Sequence, residues 1–114
     1  MKIVLDEGVP EPLIGYLPEH EVDSVGSLGW KGTKNGKLLK LIESIQAEAF
    51  ITADKNLEKQ QNLLNRPFAT LLLSTNAWPL IRGHVEAIRL ALQGPEGGVI
   101  SLVDCGTFVP KRFR

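Results

Sequence analysis

Cysteine is almost absent from this chain. Cys105 stands alone and only two histidines are present, so no internal disulfide can form and no zinc-type Cys/His spacing exists. A reducing, cytoplasmic location is the expectation. An excess of one charge is lacking too: thirteen Lys and Arg cancel thirteen Asp and Glu. No global field therefore gathers nucleic acid, and any such binding has to come from a local patch. The longest apolar runs, at 69–73 and 99–103, have the length of strands and fall far short of the ~20 residues that span a bilayer. The first residues run directly into an apolar stretch, without the basic region, long apolar core and cleavage site of a signal peptide. There is no internal repeat and no low-complexity tract. What remains is 114 residues, 43% hydrophobic and 23% charged, the composition of a single globular domain over 1–114 with its own core.

The stretch that organises the rest is Ile3-Val4-Leu5-Asp6-Glu7. An apolar run ending abruptly in two carboxylates reads as a buried central strand that delivers acids to a sheet edge. Leu13, Ile14 and Leu17 then share one helical face, and Pro10 and Pro12 restrict that short helix to starting there and stopping before Pro18. Alternation in Glu21-Val22-Asp23-Ser24-Val25 predicts a second strand near the sheet edge, followed by a glycine-rich loop over 26–36.

From Lys37 the pattern becomes helical, with Leu38, Leu41, Ile42, Ile45 and Ala49 on one side and Asn35 as its amino-terminal cap. A third strand follows at 49–52, then Asp54 as cap of a short helix reaching about Leu64. A fourth strand at 69–73 leads to a helix opened by Pro79, with Ile81, Val85, Ile88 and Leu92 inward, closed by Gly94-Pro95. The fifth strand is 99–103, and residues 107–114 read as an added edge strand or a basic tail. Alternating strands and helices predict an α/β three-layer sandwich: a mostly parallel sheet of about five strands, right-handed crossovers, and helices on both faces.

In such sheets ligands bind outside the carboxyl ends of the strands. That rule places Asp6, Glu7, Asp54, Ser74 and Asn76 on one rim. Carboxylates from different strand ends repel unless a cation lies between them, and Mg²⁺ or Mn²⁺ with hard oxygen ligands answers that need. Such an ion polarises a phosphodiester and acidifies a bound water, so phosphodiester hydrolysis is the reaction class to expect. The plainer alternative is that Asp6 and Asp54 only cap helices.

Three segments also carry a resemblance: the opening Met-Lys-Ile-Val-Leu-Asp-Glu-Gly-Val-Pro, the Leu28-Gly29-Trp30-Lys31-Gly32 loop, and Phe50-Ile51-Thr52-Ala53-Asp54-Lys55-Asn56-Leu57. In order and spacing they resemble the landmarks of a compact PIN-like family. Its members are often of unknown function and related to the ribonuclease toxins of bacterial toxin–antitoxin pairs. The likeness extends through about Leu57, and beyond that lies in the strand and helix pattern alone. It implies a Mg²⁺- or Mn²⁺-dependent endoribonuclease with Asp6 and Asp54 as metal ligands and Glu7 as the further catalytic acid. It also implies an antitoxin-type protein partner or a homodimer. Two positions depart from the pattern. Asn35 and Asn56 stand where the family usually has acids, which leaves them, with Ser74 and Asn76, as neutral groups surrounding the metal ligands. An Asn oxygen still ligates a hard cation but brings no charge. A depleted acid set opens the alternative of a non-catalytic module that binds RNA or protein.

Glu43 is one candidate replacement acid, yet it falls about 80° around the helix from Asn35 and reads better as a surface residue. Lys31, Lys34, Lys37 and Lys40 recur every third residue after Trp30. That run can hold RNA phosphates while the indole stacks on a base, although such runs more commonly form a solvated face. Trp78 reads as a core anchor, His84 as a partly buried structural residue and Cys105 as inert packing.

Overall fold

In the computed structural model the described residues are 1–57, 62–94 and 96–106. Five strands form one sheet: β1 (Lys2–Leu5), β2 (Glu21–Ser24), β3 (Ala49–Thr52), β4 (Ala69–Leu73) and β5 (Ile100–Val103). Every pairing is parallel and the order is β2-β1-β3-β4-β5. The expected α/β three-layer arrangement is therefore present, with β2 at an edge. Residues 107–114, read from sequence as an edge strand or basic tail, lie outside the described residues.

The apolar runs explain which strands are central. Ile3, Val4 and Leu5 are all 0% exposed, and β3 is buried along its whole length. A strand covered on both faces needs apolar side chains at successive positions. On one face, Ile3, Leu5, Ala49, Ile51, Leu71 and Leu73 pack with Leu13 from a 3₁₀ helix (Glu11–Tyr16), with Leu17 just after it, and with Ile81, Ile88 and Leu92. On the other, Val4 and Phe50 meet Leu38, Leu39 and Ile42 of α1 (Asn35–Ser44), together with Leu57, Leu63 and Phe68. Phe50 and Phe68 meet edge to face, their centroids 6.3 Å apart.

Three details differ from the sequence reading. The proline-rich segment closes as a 3₁₀ helix, with Pro12 near its start, as the tighter helix suits so short a piece. Asn35 is the first residue of α1 and Lys34 holds the capping position, with no side-chain cap bond. The helix expected after Pro79 is two, α2 (Trp78–Arg82) and α3 (Val85–Ala91), parted at Gly83 and His84. There His84 Nδ1 donates to Leu80 O at 2.8 Å, taking a carbonyl that a continuous helix would pair with a backbone N–H.

The crossovers also do not share one hand. The β3–β4 and β4–β5 connections step in the same direction but pack on opposite faces, through Leu57 and Leu63 in one case and Ile81 and Ile88 in the other. A six-residue 3₁₀ helix is too short to cover the first face alone, and α2 and α3 bury what it leaves bare.

Candidate functional site

Strand order reverses at β1, since the chain steps outward to β2 and returns on the other side of β1 as β3. A crevice outside the carboxyl ends of the strands is expected at such a switch point. It is there: a cleft of about 350 Å³ is lined by Asp6, Glu7, Gly8, Val25, Thr33, Asn35, Leu38, Ala53, Asp54 and Asn76. Asp6 arrives as the residue after β1, and its N–H extends the ladder to Ile51 O at 2.9 Å. Asp54 comes two residues after β3, Asn35 from the first turn of α1, and Asn76 from the segment after β4.

The two acids are fixed by neighbouring bonds. Thr52, 1% exposed, donates its hydroxyl to Asp6 Oδ2 at 2.7 Å and accepts the Asp54 N–H on the same oxygen at 3.0 Å. Asp6 Oδ1 accepts the Glu7 N–H at 2.8 Å. Asp54 Oδ1 accepts the Asn56 N–H at 2.9 Å, and Asp54 O accepts the Leu57 N–H at 3.2 Å. These are the turn-forming bonds of the capping alternative. Each ionised carboxylate oxygen accepts more than one bond, so both acids keep capacity for a cation or a donor.

Glu7 behaves differently. Its Oε1 reaches across to the Gly32 N–H at 2.9 Å, which ties the loop before α1 to the end of β1. Gly32 has φ +79°, a conformation open to glycine at little cost.

The remaining candidates separate from the cleft. Ser74 donates to Gly106 O at 2.8 Å and accepts the Cys105 N–H at 2.9 Å, so it fastens β4 to the segment after β5 and is not among the cleft's lining residues. Asn56 is exposed and its backbone serves Asp54. Lys31, Lys34, Lys37 and Lys40 are all exposed and none lines the cleft, while the half-buried Trp30 packs against the second core cluster. Glu43 pairs with Arg66 at 3.0 Å and lies outside the lining too. Cys105 is fully buried, and that burial, followed by the Asp104 charge, pushes its thiol pKa up. Trp78 meets Tyr16 at a 5.5 Å centroid distance.

The structure adds two residues that sequence reasoning passed over. Thr52 ties the acids together, and its signal was a lone polar residue ending an apolar strand. Thr33 lines the cleft from a loop whose conformation no local pattern specified.

As a cation site the donor set is thin. Among the described residues no group of three or more His, Cys, Asp or Glu side chains is placed to hold a metal ion. Two carboxylates with the Asn35 and Asn76 amides are hard oxygen donors and suit Mg²⁺ or Mn²⁺ in type, with little charge to hold it tightly. No helix among the described residues is long and apolar enough to cross a membrane. No protein-family model, curated protein or solved structure matches the chain.

Proposed function

We propose that this cleft binds Mg²⁺ or Mn²⁺ and that the chain hydrolyses RNA phosphodiester bonds there, as a PIN-like endoribonuclease with a depleted acid set. One observation carries the reading: Asp6 and Asp54 converge on a single open cleft at the topological switch point, joined through the Thr52 hydroxyl. Carboxylates gathered there gain from a cation between them. A bound divalent ion supplies Lewis acidity toward the phosphodiester and a more acidic water.

The chain's own residues do the rest. Asp6 and Asp54 hold their orientation through the bonds to Thr52, Glu7 and Asn56. Asn35 and Asn76 face the same cleft and offer neutral hydrogen bonds to a phosphate or a water. The exposed Lys31, Lys34 and Lys37 flank that wall along the chain and meet the RNA backbone by charge alone. The resemblance that suggests this activity also supports a toxin-like role, with an antitoxin-type protein or a second copy of the chain as partner.

A second reading has its own support. The thin acid set favours a non-catalytic module on the same fold that binds RNA or protein. Incubating a labelled single-stranded RNA with Mn²⁺ separates the two. Cleavage that disappears with EDTA and in Asp6→Asn supports the enzyme. Binding without cleavage supports the module, and neither binding nor cleavage removes RNA from both readings.

A further inference from the structure

We propose that Glu7 is a positioning residue and not a cation ligand: its carboxylate latches the 26–34 loop to the end of β1 and so holds one wall of the acidic cleft. The value of that wall rests on the cation-binding reading above, whereas the latch itself stands on geometry alone.

Glu7 and Asp6 are neighbours with opposite tasks. The Glu7 N–H donates to Asp6 Oδ1 at 2.8 Å and keeps the Asp6 carboxylate at the cleft. The Glu7 side chain meanwhile spans 25 positions of sequence to accept the Gly32 N–H at 2.9 Å. The loop needs such a tie. Leu28 and Trp30 pack against the second core cluster, but around Gly32 there is open space where a Cβ would stand, so side-chain packing does not set the place of this end of the loop. Both bonds donated by Thr33 stay inside the loop, ending on Trp30 O at 3.0 Å from the backbone and 2.6 Å from the hydroxyl.

Thr33 follows Gly32 directly and lines the cleft, as does Asn35 two residues on. Moving Gly32 therefore bears first on Thr33, since Asn35 is also held by α1 through its buried Leu38, Leu39 and Ile42. Spare acceptor capacity does not make Glu7 a ligand: among the described residues it completes no three-acid group with Asp6 and Asp54 placed to hold a metal ion, and its Oε1 is anchored on the Gly32 N–H. A latch that stays closed keeps Thr33 in place beside whatever Asp6 and Asp54 hold.

Two substitutions tell latch from ligand, because a Gln oxygen accepts the same N–H while bringing no charge. The first readout is hydrogen exchange of the Gly32 amide, followed by NMR. Glu7→Ala is expected to speed it on the order of tenfold, the loss of one hydrogen bond to a charged group, with Glu7→Gln close to the native rate. The second is Mn²⁺ titration. Glu7→Gln is expected to weaken binding no more than about fivefold, as for one exposed charge, while Asp6→Asn loses it. Equal Gly32 exchange in native and Glu7→Ala protein would overturn the latch. So would loss of Mn²⁺ in Glu7→Gln as complete as in Asp6→Asn, since Glu7 would then be a ligand. If the native chain binds no Mn²⁺, the cation reading fails and Gly32 exchange still decides the latch.

Discussion

Asp6 and Asp54 are held together by one buried hydroxyl: Thr52 donates to the carboxylate of Asp6 at 2.7 Å and accepts the backbone N–H of Asp54 at 3.0 Å. Thr52→Val keeps the volume and removes both bonds. An isosteric change of this kind leaves the Asp54 N–H without that acceptor and the Asp6 carboxylate free to turn, at a cost of about 1–3 kcal/mol. Urea unfolding of the variant checks the number. An unchanged midpoint would mean that the acids are placed by the backbone alone.

Gly98 has φ +81°, and a Cβ there would come 2.5 Å from Leu64 O. Gly94 has φ +66° with nothing within 4 Å. Gly94→Ala is expected to lose about 1–2 kcal/mol from the left-handed backbone alone. Gly98→Ala must lose clearly more, because the Leu64 peptide has to move as well. Paired denaturation midpoints test the ordering.

How much of this was legible in the sequence depends on the range of the contact that decides each feature. The strands were readable because Ile3-Val4-Leu5 and Ala69-Thr70-Leu71-Leu72-Leu73 declare burial locally, and the common rim followed from placing strand ends on one edge. The break at Gly83 and His84 was not readable, since it depends on His84 finding Leu80 O. Ser74 fastening onto Cys105 and Gly106 was equally out of reach, because the bond joins segments 31 and 32 positions apart. Glu7 was visible as an acid beside Asp6, while its reach to Gly32 is a property of the folded loop.

Far from the cleft, Glu19 bonds Arg89 at 2.9 Å and Arg89 bonds Glu86 at 3.1 Å. The Glu19 pKa lies below the ordinary value of 4.5, first through a backbone hydrogen bond and then through the Arg89 guanidinium, against a smaller opposing effect of burial than the backbone bond. A depressed carboxylate pKa adds stability above the unfolded value and loses it as pH falls through the folded one. Glu19→Gln should therefore trail the native chain slightly near neutral pH and match it at pH well below 4.5. Urea midpoints across an acid series read this, and a gap that widened on acidification would contradict it. The effect stays small because the pair is exposed.

Asn35 lines the cleft from the first turn of α1, so Asn35→Asp adds a carboxylate where charge is scarce. Under the cation reading, Mn²⁺ affinity should rise at least about tenfold. Calorimetry on the variant measures it. No gain would show that the cleft does not gather charge around a cation.

The most direct measurement is a Mn²⁺ titration by calorimetry at moderate salt, on the native chain, Asp6→Asn and Asp54→Asn. The account predicts one ion bound by the native protein and lost in both variants. Absence of binding at millimolar metal, or binding that survives both substitutions, would contradict a cation site at Asp6 and Asp54 and the nuclease activity proposed from it.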